Sequence, residues 1–249
     1  DAGADAGADA GADAGTDAGA DAGADAGTDA GADAGADAGA DGGVDAGLGE
    51  VGGSVKQIAG GHEHTCALLA TGKVRCWGRG SYGRLGYGNT NNVGDNPAAL
   101  PSCAGDLNVG GDVVQISVGA YYTCALLATG KVRCWGQNGS GELGYGSTDD
   151  VGDNEFPSDA GDARVGGDVV QIAAGVEHTC VVLSTGKVRC WGNNYAGKLG
   201  YGHTNNIGDD DFPSDAGDVS VGGDVKQIAA GQHHTCALLA TGKVRCWGN

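Results

Sequence analysis

The chain is short of basic and large apolar side chains, and each shortage closes off a class of protein. It has no Met, 2 Phe and 4 Pro among 249 residues. No apolar run approaches the roughly 18 residues that a membrane-crossing helix needs, so direct membrane insertion of this segment is not expected. Lys and Arg total 14 against 32 Asp and Glu, a formal charge of −18. With no basic stripe, neither nucleic acid nor an anionic bilayer has an electrostatic footprint to meet. A Ser/His/Asp constellation, an HExxH pair and a phosphate-cradling Gly loop followed by Lys-Ser/Thr are all missing. The expectation is a non-enzyme with no catalytic residue, no cofactor and no resident metal.

The charge is unevenly placed. Residues 1–50 repeat Asp-Ala-Gly-Ala and hold 12 Asp, Glu50 and no base, while residues 51–249 carry 19 acids and 14 bases. A Gly at every fourth position opposes a helix by about 1 kcal/mol each. Aligned Asp charges oppose stacking as strands. Without large apolar groups nothing offsets the ordering entropy. The segment reads as a disordered acidic linker, about 35–42 Å in r.m.s. span as a Gly-rich coil.

Beyond Val51 one segment is stated four times. His64-Thr-Cys-Ala-Leu-Leu-Ala-Thr-Gly-Lys-Val-Arg-Cys-Trp-Gly78 returns as Thr123 to Gly136 (with Tyr122 in place of the His), His178 to Gly192 and His234 to Gly248. The first cysteines, Cys66, Cys124, Cys180 and Cys236, are spaced by 58, 56 and 56 residues. A fixed period of this size marks a repeat architecture whose units bury their apolar faces on their neighbours. Approximate units are 51–109, 110–165, 166–221 and a truncated 222–249. The chain opens without Met and stops in mid-repeat at Asn249, so it reads as a fragment. A signal peptide, lipid anchor or further domain outside it is left open.

Eight of the 9 Cys form four Cys-x9-Cys pairs, a spacing unlike zinc knuckles. Thr65–Leu69 and Lys73–Trp77 read as strands, joined by Ala70-Thr71-Gly72 with Gly in the left-handed position. That register sets Leu69 against Lys73, Leu68 against Val74, Ala67 against Arg75 and Cys66 against Cys76. Directly facing residues of a non-hydrogen-bonded pair are close enough for a disulfide. The hairpin thus predicts Cys66–Cys76, Cys124–Cys134, Cys180–Cys190 and Cys236–Cys246, each stabilising by about 2–3 kcal/mol. Four such pairs point to an oxidising compartment, extracellular or at the cell surface. Cys103 is left as an unpaired thiol.

Along one unit, Val169–Ala174, His178–Leu183 and Val188–Trp191 read as strands, and Lys198-Leu-Gly-Tyr201 as a fourth, Gly-rich one. Four short antiparallel strands per repeat read as a β-propeller blade, an all-β fold. The string Gly-x-x-His-Thr-Cys, Gly-Lys-Val-x-x-Trp-Gly-x-Asn-x-x-Gly-x-Leu-Gly, clearest from Gly175 to Gly200, resembles the repeat of the regulator-of-chromosome-condensation family. The paired cysteines and the Thr-Asn-Asn-Ile-Gly-Asp loop resemble secreted or surface versions from bacteria such as myxobacteria. The resemblance implies a seven-bladed propeller. At roughly 56 residues a blade, a closed ring needs about 390 residues, so this chain supplies about 3.5 blades.

His64, His178 and His234 occupy the position that defines the repeat, which implies a scaffold role. The family's ultraviolet-B photoreceptor carries its sensing Trp two residues before that His. His62 and Val176 stand there in this chain, and neither repeat lacking a clear alignment offers a Trp, so light sensing is not expected. Lys73, Arg75 and Trp77 alternate on one hairpin face, and the Arg is expected to pack on the Trp. The long loops Asn89–Gly111, Ser147–Gly167 and His203–Gly223 are the candidate binding surfaces. Their acidic residues Asp149, Asp150, Asp153, Glu155, Asp209, Asp210 and Asp211 lack EF-hand spacing and make calcium a weak possibility. The function favoured is a non-enzymatic extracellular binding scaffold for a protein or cell-surface ligand. The alternatives are a secreted enzyme inhibitor, which needs an aromatic patch on one face, and a guanine-nucleotide exchange factor, the namesake's activity.

Overall fold

A computed structural model describes residues 52–249; the expected disordered linker over 1–50 lies outside the described residues. The first blade comprises β1 (Val55–Gly60), β2 (His64–Leu69) and β3 (Val74–Gly78). The second comprises β4 (Val113–Val118), β5 (Tyr122–Leu127) and β6 (Val132–Gly136). The third is β7 (Val169–Ala174), β8 (His178–Leu183) and β9 (Val188–Gly192). The fourth is β10 (Val225–Ala230), β11 (His234–Leu239) and β12 (Val244–Gly248). Each set is a separate three-stranded antiparallel meander, so the expectation of an all-β chain of propeller blades holds. One-turn helices α1 (Pro157–Ala160) and α2 (Pro213–Ala216) sit in the long loops.

The hairpins have the expected register. Leu69 N–H donates to Lys73 O at 2.8 Å, Gly72 takes φ 79°, and Cys66 faces Cys76 across β2 and β3. All four cysteine pairs lie at disulfide distance with Cα atoms 4.1 Å apart, and Cys103 is free and exposed.

The expected fourth strand is absent. Lys198–Tyr201 forms turns, because Gly197, Gly200 and Gly202 take φ of 73°, 87° and 80°, outside the extended region. Among the described residues the outer edge of β9 meets no strand, only the isolated bridge Gly192–Ile207 and the Val219 N–H on Val188 O, and Gly78–Val93 and Gly136–Val151 repeat the bridge. A tyrosine replaces the rest of the strand. Tyr145 Oη lies 3.1 Å from both the N–H and the C=O of Cys134, so one hydroxyl satisfies an edge residue that a strand would have paired. Tyr87 does the same on Cys76, and Tyr201 accepts from Cys190 N–H while donating to Gly217 O.

Blades are coupled by polar clamps around an apolar seam. A register shift in each first strand, between Val55 and Gln57 in β1, leaves the glutamine free to cross to the next blade. Gln115 Nε2 donates to Ile172 O at 2.9 Å while its Oε1 accepts from Ile172 N–H at 3.0 Å. Gln57 holds Ile116 and Gln171 holds Ile228 in the same way. The inner turns are linked too: His62 N–H reaches Ala120 O, Ala120 N–H reaches Val176 O, and Val176 N–H reaches Gly231 O. Glycine is required there, since a Cβ on Gly61 would run into Gly119 O.

The seam takes Trp135 and Trp191, both fully buried, with Leu85, Leu143 and Leu199. Trp191 Nε1 donates to Glu142 O of the preceding blade at 2.8 Å. Among the described residues, the expected stacking of arginine on tryptophan is not what holds Arg133 or Arg189. Arg75, Arg133 and Arg189 pair instead with Asp106, Asp162 and Asp218 at 2.7, 2.8 and 2.9 Å. A guanidinium in the dry seam would forfeit its hydration, whereas the loop offers a carboxylate.

Candidate functional site

Two of the repeat-defining histidines, His64 and His178, are structural couplers. His64 Nε2 and Thr123 Oγ1 are 2.9 Å apart, and His178 Nε2 and Thr235 Oγ1 likewise. Each threonine hydroxyl donates onward, to Arg84 O and Lys198 O, so it accepts from the Nε2–H tautomer. Burial holds His64 down to about 4 and His178 further, to about 3, so both are neutral at physiological pH. In the second repeat Tyr122 does the coupling, donating to His178 O at 2.6 Å and accepting from Thr179 Oγ1.

The acidic loops are straps. Asp150 Oδ1 accepts from Asn138 N–H at 2.8 Å, and Asn92 and Asn206 serve Gly80 and Asn194 at the same position. The Asp153 and Asp209 backbones lie so close to Gly83 and Gly141 of the preceding blade that neither glycine has room for a Cβ. Glu155 and Asp211 close the loop on Gly152 N–H and Gly208 N–H. Asp149 contributes its carbonyl to Asn138 Nδ2. Asp209, Asp210 and Asp211 have carboxylate oxygens within 4.8 Å of one another, an acidic cluster with part of its capacity already engaged. The structure thus divides the expected binding residues between strap and cluster rather than gathering them into one site.

A different surface gathers chemistry. In every blade the turn after the first strand and the turn after the third emerge on the same side. Arg79 N–H donates to Glu63 O, Gln137 N–H to Tyr121 O and Asn193 N–H to Glu177 O. Between the first two blades an open hollow of about 580 Å³ is lined by His62, Glu63, Arg79, Tyr82, Arg84, Tyr121 and Gln137. Arg84 is only 1% exposed. Its Nε donates to Ser81 O at 2.9 Å, its Nη1 to Glu63 at 3.2 Å, and its guanidinium carbon lies 4.9 Å from the Tyr121 ring centre. Desolvation lowers the Arg84 pKa and Glu63 opposes it; the Arg79 hydrogen bond in turn holds Glu63 below the usual carboxylate range. Tyr82 is 48% exposed and takes φ 62°, a left-handed conformation costly for a side chain of its size. Ala196, at the equivalent place, takes φ 59°.

The next boundary carries the opposite sign. Glu142, buried, accepts from Ser140 N–H, and burial pushes its carboxyl up to about 7. Lys198, buried at the boundary after that, where its carbonyl accepts from Thr235 and Trp247, sits 3.7 Å from Glu177.

A signal for this face exists in the sequence and lies in the columns where the three complete repeats all differ. Five of those columns fall in the two turns: His62/Ala120/Val176, Arg79/Gln137/Asn193, Ser81/Gly139/Tyr195, Tyr82/Ser140/Ala196 and Arg84/Glu142/Lys198. The others between Val55 and Asp95 are Gly60/Val118/Ala174 at the axial opening and Asn89/Ser147/His203 in the strap.

The profile of the regulator of chromosome condensation (RCC1) repeat matches residues 55–84, 113–142, 169–198 and 225–249, and a second RCC1 profile matches 71–126 and 129–182. The chain belongs to the RCC1-repeat family. Three of the RCC1 matches end on Arg84, Glu142 and Lys198, the buried positions whose charge changes from blade to blade. The chain is 33% identical over 199 residues to the human probable E3 ubiquitin-protein ligase HERC6, covering 78% of itself and 18% of that protein. It is 30% identical over 200 residues to the Arabidopsis thaliana ultraviolet-B receptor UVR8, covering 78% of itself and 41% of the receptor. Among solved structures, human WBSCR16 superposes with a TM-score of 0.63 at 26% identity, over 79% of this chain and 48% of that one. Yeast RCC1 (Prp20), solved bound to Kap60, superposes with a TM-score of 0.57 at 23% identity, over 78% and 43%, a likeness of fold. The RCC1 segment thus spans less than half of each of these proteins. The relatives named are animal, plant and fungal, and the expected likeness to bacterial surface proteins finds no support among them.

Proposed function

We propose that this RCC1-repeat segment is a non-enzymatic protein-binding scaffold that works in an oxidising, extracellular setting and meets its partner with the diversified face. The observation that carries the reading is the contrast within the chain itself. Strands, couplers and straps are nearly identical from blade to blade, while the two turns that share one side differ in every complete repeat. Rigid scaffolds with variable turns are where recognition is usually placed. Yeast Prp20 is found bound to Kap60 and has binding properties to Gsp1p and histones, so a related fold is a protein binder. His64 and His178, which could have served as general bases, are instead buried couplers, which favours binding over catalysis. Four hairpins carrying cysteines at disulfide distance favour the oxidising setting.

A second reading has its own support. Tyr82 and Tyr195, 48% and 65% exposed, stand with Tyr121 on this face, so the aromatic surface that an enzyme inhibitor needs is present in part.

The test uses two double variants in pull-downs from the native surroundings. Arg79→Glu with Tyr195→Ala alters the face. Lys131→Ser with Lys187→Ser alters the hairpin loops at the opposite ends of the strands. A partner held by the wild type and the loop variant but released by the face variant supports the reading, and one held by the face variant overturns it. For the compartment, a non-reducing tryptic map of native protein is expected to yield four linked intra-repeat pairs, because trypsin cuts after Lys73 and Arg75 between the cysteines. Free thiols throughout would refute the extracellular setting.

A further inference from the structure

Resting on the protein-binding reading, we infer that the hollow between the first and second blades receives an acidic side chain of the partner protein. The chain as a whole is strongly acidic, at −18, yet this hollow sets Arg79 and Arg84 against Glu63 alone. Both guanidiniums are already oriented. Arg79 gives Nε to Ser81 Oγ at 3.0 Å and Nη1 to Glu63 at 2.9 Å, and Arg84 gives Nε to Ser81 O and Nη1 to Glu63. Among the described residues none accepts from Nη2 of either arginine. One carboxylate therefore anchors two forks and leaves a donor on each uncommitted, and Arg79 is 55% exposed. A second carboxylate, supplied from outside, meets the exposed Arg79 fork directly, with the buried Arg84 guanidinium adding its charge from beneath. Because Arg84 is pinned between the Tyr82 and Tyr121 rings, little rotamer entropy remains to be lost on binding.

The neighbouring boundary sharpens the choice. There Glu142 takes the place of Arg84 and Gln137 that of Arg79, so an acidic group would meet a buried carboxyl and no cation from the equivalent turn one blade further on. The face thus discriminates between boundaries that share one backbone.

The experiment labels the full chain with ¹⁵N at its seven arginines and follows their Nε–H resonances during titration with N-acetyl hexaglutamate amide, then with the hexalysine counterpart. Saturable shifts are expected at Arg79 and Arg84 with hexaglutamate. Arg75, Arg133 and Arg189, each already on an aspartate, serve as internal controls and stay still. Arg79→Gln is expected to weaken binding about tenfold, while Glu142→Gln changes it less than about twofold; unmoved Arg133 and Arg189 resonances report that the fold is intact. Shifts spread over all arginines, equal shifts with hexalysine, or binding indifferent to Arg79→Gln would each overturn the inference. The pull-down above fails or succeeds independently: a partner lost with the face variant but no hexaglutamate site leaves the scaffold standing and removes the acid preference.

Discussion

Replacing Gln115 with Ala should loosen one blade boundary by an amount that follows from two bonds. Gln115 donates to Ile172 O at 2.9 Å and accepts from Ile172 N–H at 3.0 Å, and both bonds are partly buried. Each is worth about 1 kcal/mol net, with some added penalty where a freed backbone group stays dry. The loss is about 2 kcal/mol. For a domain of this size that lowers Tm by about 4–8 °C. Amide exchange at Ile172 should accelerate about thirtyfold, since about 1.4 kcal/mol is a factor of ten. Gln227→Ala is the matched control, because Gln227 holds the same position in the fourth blade but clamps nothing among the described residues. Thermal unfolding and native-state exchange measure both variants. If Gln115→Ala leaves Ile172 exchange unchanged and shifts Tm by no more than its control, the glutamines are not blade couplers.

Removing the pair Cys180 and Cys190 together, by Ala at both, should cost about 2–3 kcal/mol in a denaturant series, and reductant should then no longer shift that hairpin's midpoint. Tyr145→Phe strips the cap from Cys134 N–H and C=O and should cost about 1–2 kcal/mol by the same assay; no loss would mean water replaces the hydroxyl at no penalty. Two kinds of buried group, histidine and glutamate, should tilt stability with pH in opposite directions. His64 and His178 stay neutral when folded, at about 4 and about 3, but bind protons near 6.5 when unfolded. Their contribution is complete above about 6.5 and is lost as pH falls toward 4. Glu142 keeps its proton to about 7 when folded and releases it near 4.5 when unfolded, so its contribution falls as pH rises through that window. Glu142→Gln should therefore gain about 2 kcal/mol over wild type at pH 8 and almost nothing at pH 4.5; an equal gain at both would refute the assignment.

The hairpins were legible because their information is local. Strand alternation and a left-handed Gly72 fix which residues face each other, and Cys66 against Cys76 follows. What depends on the next blade was not legible. Gln57 looks like any polar strand residue, since its partner Ile116 lies 59 positions away. Asp150 looks like a free ligand until Asn92 and Asn206 show it to be a strap. Lys198–Tyr201 read as a strand because Leu and Tyr alternate there, while three positive-φ glycines decide otherwise. Arg189 and Trp191 share a hairpin face, yet the stronger claim on Arg189 comes from Asp218 across the loop. The binding face was within reach, but as variation between copies rather than as a motif.

The clamps have a consequence for how such a chain can change over generations. Each blade presents one glutamine and one histidine or tyrosine forward and receives one isoleucine and one threonine from behind. Plug and socket are the same at every junction. Coupling runs only between neighbours, so a unit duplicated, deleted or shuffled would find a fitting socket wherever it landed. The order of blades is then free to vary while the joints stay constant, and that order decides which charge stands beside which on the face. A protein jointed in this way can rewrite what it recognises by rearranging whole units, without first having to solve its folding again.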